Sequence, residues 1–150
     1  MAYPNSQAMS TYRSVYGTAT EDATPHGLVM LLFDAARIAV HDAGVQMKLK
    51  EVAAKGAAIG KACEIIEVGL KASLDLERGG KIAEQLDSLY EYMVEQLTLA
   101  NLRNEPKCLE VVGKLLAEIE DAWRQIAPPV PESQTSFKPN GPGGGNYARA

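Results

Sequence analysis

Two histidines, two cysteines and one glycine–lysine run are the parts of this chain whose residue types could carry chemistry. His26 and His41 would be metal ligands in a di-iron bundle if each closed a Glu-x-x-His pair, and neither does. His41 falls among polar positions and reads as a solvated side chain. The run Gly56-Ala57-Ala58-Ile59-Gly60-Lys61-Ala62 has the outline of a loop whose backbone amides cradle phosphate. It is one residue short between its glycines, ends in Ala62 where a hydroxyl should hold magnesium, and follows no strand. Cys63 and Cys108 have no base partner signalled nearby and sit inside helical patterns, so they read as reduced thiols filling a core. The carboxylate pairs Glu64/Glu67 and Glu118/Asp121 fall on polar arcs and read as solvated faces. The expectation is therefore a protein without catalysis, metal or cofactor.

The elements that would have to position any site point the same way. Of the 150 residues, 46% are hydrophobic but only 6% aromatic, with Ala and Leu supplying most of the apolar mass. That balance suits helices packed on helices better than sheets, which favour β-branched and aromatic residues. The net charge of -4, with Lys and Arg interspersed among Glu and Asp, gives no basic patch for a nucleic-acid backbone. The longest apolar run, Leu28 to Phe33, is far below the ~20 residues that span a bilayer, so membrane insertion is not expected. Met1 to Ser10 has neither the basic start nor the apolar segment of a secretory signal, which suggests a cytoplasmic protein.

Three regions follow: an N-terminal arm over 1–24, a helical body over 25–127 and a tail over 128–150. The tail holds Pro128, Pro129, Pro131, Pro139 and Pro142 followed by Gly143, Gly144 and Gly145, a composition that favours disorder. In the body, Thr24 is an N-cap and Pro25 suits the first helical position, opening a helix to about Lys50. A second helix is predicted to run from the pattern reset at Glu51–Gly56 to about Glu77, with Gly79-Gly80 as stop and turn. The third carries the stripe Ile82, Leu86, Leu89, Met93, Leu97 and Ala100. Asn104 is the expected N-cap of the fourth, whose stripe runs through Val112, Leu115 or Leu116, Ile119, Trp123 and Ile126. Four such helices with short connections predict an all-α, antiparallel four-helix bundle.

The apolar surface exceeds what one seam requires. On the first helix, Asp34, Arg37 and His41 share a narrow polar arc, leaving roughly 240° of largely apolar circumference where about 100° would serve a single buried face. The second helix pairs a main stripe (Ile59, Cys63, Ile66, Leu70, Leu74) with a parallel one containing Ile65, Val68, Gly69, Ala72 and Leu76. The third adds Tyr90, Tyr92, Val94 and Leu99 outside its seam. Exposed alanines and lone surface residues, a groove for a partner's amphipathic helix, and self-association as a homodimer or larger structural oligomer all remain open on this evidence.

Particular words in the sequence narrow the choice. Thr24-Pro25-His26-Gly27-Leu28-Val29-Met30-Leu31-Leu32-Phe33-Asp34-Ala35-Ala36 resembles the opening of the first long helix in FliS-type flagellin chaperones. Lys61-Ala62, Glu64-Ile65-Ile66, Gly69-Leu70-Lys71 and Leu74-Asp75 are similar to that family's second helix. Gly79-Gly80, Leu89-Tyr90-Glu91-Tyr92-Met93 and Ala100-Asn101-Leu102 are similar to its third, and Asp121-Ala122-Trp123 to the close of its fourth. The resemblance covers about residues 12 to 127. It implies a four-helix bundle that binds the C-terminal segment of flagellin in apolar grooves and keeps it from polymerising before type III export. It also implies an arm whose Tyr12, Val15 and Tyr16 shield the site until the client arrives, and contact with components of the export apparatus. With the second stripes, the expected partner-binding residues are Tyr12, Val15, Tyr16, Leu28, Leu32, Ile65, Val68, Leu76, Tyr90 and Val94. Of these, Ile65, Val68, Leu76, Tyr90 and Val94 should be at least partly exposed, against fully buried Ile66, Leu86 and Met93.

Truncation after Ala127 is expected to leave both the melting temperature and flagellin binding unchanged. A loss of several degrees, or of binding, in a thermal melt and titration would show that the tail docks on the body.

Overall fold

The computed structural model describes residues 24–126. The arm residues Tyr12, Val15 and Tyr16 and the tail from Pro128 lie outside that range. The described residues form four helices: α1 Pro25–Lys48, α2 Val52–Glu64, α3 Leu76–Arg103 and α4 Pro106–Gln125. Each packs on its chain neighbours and α4 closes on α1, which makes an all-helical bundle. The antiparallel sense is fixed by side chains. His26, at the start of α1, lies against Trp123 at the end of α4, and Lys71, just beyond α2, pairs with Asp87 and Glu91 of α3 at 2.9 and 3.4 Å.

The start of α1 is as the sequence predicts. The Thr24 hydroxyl accepts the Gly27 N–H at 3.0 Å and Pro25 occupies the first turn, where its missing N–H costs nothing. Most of the apolar circumference of α1 proves to be core. Leu28, Val29, Leu32, Phe33, Ala35, Ala36, Ala39, Val40 and Ala43 are all buried, because this helix packs on α2 and α4 at once. The wide apolar arc is therefore the signature of two neighbours, and the expected surplus at Leu28 and Leu32 is not surface.

The second helix departs from expectation. Regular α-helix stops at Glu64 and continues as a π-helical turn, Ile65–Leu70, then a short 3-10 segment, Lys71–Ser73. Leu74 is extended, and Asp75 caps α3 by accepting the Arg78 N–H at 3.1 Å, so the helix ends before the predicted Glu77. A π turn holds more residues than an α turn, and here both members of the adjacent pairs Ile65/Ile66 and Gly69/Leu70 face the core. That overturns the expectation for Ile65: a wheel of constant pitch put it beside the seam, and the local widening brings it in. Gly69 matters at this point, since a Cβ there would lie 3.1 Å from Leu32 Cδ2.

On α3 the break falls at Gly80, whose φ of 58° and ψ of -135° separate one leading turn from the rest of the helix. The buried seam is Ala83, Tyr90, Met93, Leu97 and Ala100. Tyr90 is thus core rather than partly exposed; it lies seven residues after Ala83 and three before Met93, on one face. Ile82, placed on the seam by its spacing, is 70% exposed, and Leu86 is only partly buried. Asn104 adopts the left-handed conformation (φ 50°) and closes α3 rather than opening α4, as a short polar side chain allows. Glu105 is the N-cap of α4, its carboxylate accepting the Lys107 N–H at 3.3 Å. The turn is held by buried Lys55, which donates from Nζ to the Asn101 carbonyl (3.1 Å) and to Asn104 Oδ1. That places a cation at the C-terminal, electronegative end of α3.

Ile66→Ala should cost about 2–5 kcal/mol, because the side chain is fully buried and a cavity remains. Ile82→Ala should fall within about 0.5 kcal/mol of wild type. Chemical denaturation of both variants checks the assignment of seam and surface.

Candidate functional site

The α1–α4 seam is tight at one end and open at the other. At the tight end the His26 and Trp123 rings stack with centroids 5.2 Å apart and planes 10° from parallel. Two hydrogen bonds cross the seam between the same residues: His26 Nε2–H donates to the Trp123 carbonyl (2.9 Å), and Trp123 Nε1–H donates to the His26 carbonyl (3.4 Å). A carbonyl only accepts, so the proton sits on Nε2.

One to three turns inward lies a buried polar cluster. The Glu120 carboxylate is fully buried and accepts from Arg37 Nη1 at 2.8 Å through one oxygen and from Arg124 Nη2 at 3.1 Å through the other. Burial holds its pKa above the ordinary carboxylate range, a hydrogen bond with Asp34 raises it further, and Arg37 pulls against both.

Beyond the cluster the seam opens into a groove of about 1510 Å³. Its α1 wall runs from Leu31 and Asp34 through Arg37, Ile38, His41, Gly44 and Val45 to Lys48. Lys50 and Val52 close the far end, and Pro106, Leu109, Glu110 and Gly113 form the opposite wall. From Leu31 to Lys48 the wall is roughly 26 Å long at 1.5 Å per residue. Ile38 (66% exposed), Val45 and Val52 present apolar side chains there at seven-residue intervals. Gly44 and Gly113 face each other's helix from opposite walls. A Cβ on Gly44 would meet Leu109 Cδ1 at 3.9 Å and one on Gly113 would meet Val40 Cγ1 at 3.9 Å, both ordinary contacts. Packing therefore does not demand either glycine; their effect is to leave the groove without side chains at its middle.

The expected partner-binding residues divide three ways. Leu28, Leu32, Ile65 and Tyr90 belong to the core cluster, out of reach of a partner on the folded bundle. Val68 and Val94 are partly buried and Leu76 is exposed, so these remain accessible. Tyr12, Val15 and Tyr16 lie outside the described residues. The groove residues Ile38 and Val45 were missed as a site, although a signal existed. At 100° per residue they fall roughly 40° and 20° past Asp34 and short of Asp42 at roughly 80°, two apolar side chains between polar ones.

The side chains with chemical potential are placed as inert groups. Cys63 and Cys108 are free and partly buried, and burial, with a smaller contribution from Glu67, pushes the Cys63 thiol up to about 11. Such a thiol is not a nucleophile at neutral pH. His41 is exposed on the groove wall. Among the described residues no helix is long and apolar enough to cross a membrane.

Fold and groove together define the class, a four-helix bundle with an open, partly apolar trough between its first and last helices. Comparison with known proteins gives the family. The family model described as "Flagellar protein FliS" matches residues 7–130. The chain is 47% identical over 111 residues to the flagellar secretion chaperone FliS of Salmonella typhimurium, covering 74% of this chain and 82% of the relative. It is 40% identical over 122 residues to the flagellar secretion chaperone FliSB of Pseudomonas aeruginosa (81% and 96%). It is 24% identical over 114 residues to FliS of Bacillus subtilis (76% and 84%). This chain belongs to the FliS family of flagellar secretion chaperones, a family of chaperones and not of enzymes.

Because Glu120 binds its proton more tightly folded than unfolded, its contribution is fully present below the ordinary carboxylate pKa and is lost as pH rises through the raised one. The stability of wild type relative to Glu120→Gln should therefore fall between about pH 4 and about pH 8. Denaturation of both proteins at the two pH values measures it, and a constant difference would contradict the assignment. The groups facing Glu120 are Asp34 and Arg37 of α1 and Arg124 of its own helix, with Asp121 beyond Arg124 at 3.9 Å.

Proposed function

We propose that this protein is a cytoplasmic chaperone that holds the C-terminal segment of flagellin as an amphipathic helix in the α1–α4 groove, keeping it from polymerising before export. The observation that carries this reading is the groove itself. An amphipathic helix docks by inserting side chains at i, i+3, i+4 and i+7 into an apolar trough. Ile38 and Val45 offer contacts at the i, i+7 recurrence along the α1 wall, and Val52 at the start of α2 continues the apolar surface at the far end. The relatives' description as flagellar secretion chaperones supports a secreted flagellar protein as the client.

Leu76, Val68 and Val94 on the far side of the bundle would extend the contact for a client long enough to wrap around it. A client that is disordered when free must offset the cost of its own ordering, which favours a contact of this extent. The loaded chaperone then meets components of the export apparatus.

Val45 and Gly113 give the test. Val45→Asp, or Gly113→Phe to fill the trough, should weaken binding of the flagellin C-terminal segment about tenfold or more while the melting temperature stays near wild type. Calorimetric titration read beside thermal melts measures both. Unchanged affinity in both variants places the client elsewhere. Light scattering that finds a homodimer insensitive to the segment would instead make the groove a self-association surface.

A further inference from the structure

Resting on that reading, we propose that Arg37 is the polar anchor of the groove, its guanidinium pairing with a carboxylate of the docked segment that flanks the segment's apolar stripe. Arg37 lines the groove and its side chain is 47% exposed, yet it is fixed from below by a fully buried carboxylate at 2.8 Å. A guanidinium carries five N–H donors in a rigid fork, and the bond from Nη1 to Glu120 leaves others free to face the trough.

The charge balance at this end selects the ligand. Glu120 is met by two guanidiniums, Arg37 and Arg124. The acid nearest to Arg37 on the groove wall, Asp34, shares its hydrogen bond with Glu120. Arg124 also reaches Asp121, at 3.9 Å, and does not line the trough, which leaves Arg37 as the guanidinium of this cluster that a docked segment meets. Further along, the walls carry His41, Lys48, Lys50 and Glu110, so that Arg37, Lys48 and Lys50 outnumber Asp34 and Glu110 among the charged groups lining the trough.

Two physical effects make the anchor effective. The Glu120 clamp pre-pays part of the side-chain entropy that a long arginine normally loses on binding. A helix laid over the trough also displaces water from around Arg37, which strengthens a charge pair formed there. Structural need alone does not explain the arrangement, since a buried charged cluster is often no more stabilising than an apolar one of the same volume.

The test titrates the full chain with the flagellin C-terminal segment at low and high salt. Arg37→Gln should weaken binding roughly tenfold and flatten the salt dependence, and Arg37→Lys should recover only part, because an ammonium cannot hold Glu120 and a ligand in one fork. Wild-type affinity and salt slope retained by Arg37→Gln would overturn the anchor while leaving the chaperone reading intact. Failure of the wild-type chain to bind the segment would instead overturn the chaperone reading, and the anchor with it. If Arg37→Gln unfolds, acid-to-amide changes along the segment are titrated against wild type and Arg37→Lys. One position should reproduce the loss and be non-additive with the lysine. No such position would refute the proposal.

Discussion

The closure of α4 against α1 is the contact on which the rest of this structure depends. These helices are joined only through the whole length of the chain between them, so their pairing has the largest loop-closure cost in the bundle. The contacts that offset it are concentrated at one end: the His26–Trp123 stack with its two crossing hydrogen bonds, then Arg37 on Glu120. With that end held, the other can be left open, and small residues on both walls keep it so. A seam fastened uniformly along its length would be more stable and would have no groove.

This division explains the otherwise uneconomical polar chemistry within an apolar protein. A carboxylate taken fully out of water is costly, and neither one arginine nor two make it a clear gain over well-packed leucines. What the cluster supplies is position. It ties the helix end to the groove wall through charge-assisted bonds with defined geometry, where apolar contacts would permit sliding. Lys55 plays a comparable part at the opposite end of α3. Its buried ammonium fastens the left-handed turn at Asn104, and so fixes where α4 begins and which face it shows to α1.

How much of this was legible in the sequence depended on the range of the interaction. Local rules succeeded where the interaction is local: Thr24 and Pro25 open α1 as their chemistry requires, and the stripe of Val112 and Leu116 on α4 is buried as spaced. They failed where one residue changes the pitch. The π turn at Ile65–Leu70 has no composition that a constant 100° wheel can register, so Ile65, which that wheel sets beside the seam, is buried, while Ile66 and Leu70 are buried as spaced. Asn104 was an ambiguous case, because Asn serves both as N-cap and in the left-handed conformation; only Glu105 beside it, and Lys55 from another helix, decide between them. The pairing of Arg37 with Glu120 joins residues 83 apart in sequence, and nothing near either one announces the other.

The site was hidden for a related reason. Apolar excess on a helix suggests a groove, whereas in a bundle it first marks a helix with two neighbours. The informative residues were the opposite kind, Ile38 and Val45 set among Asp34, Arg37 and His41. An apolar side chain inside a polar arc costs little when isolated, so each alone carries no message. Repeated at helical intervals beside glycines that packing does not require, they mark the surface that is proposed above to receive another helix. The polar residues between them are then part of the same surface, supplying direction and register where the apolar contacts supply area.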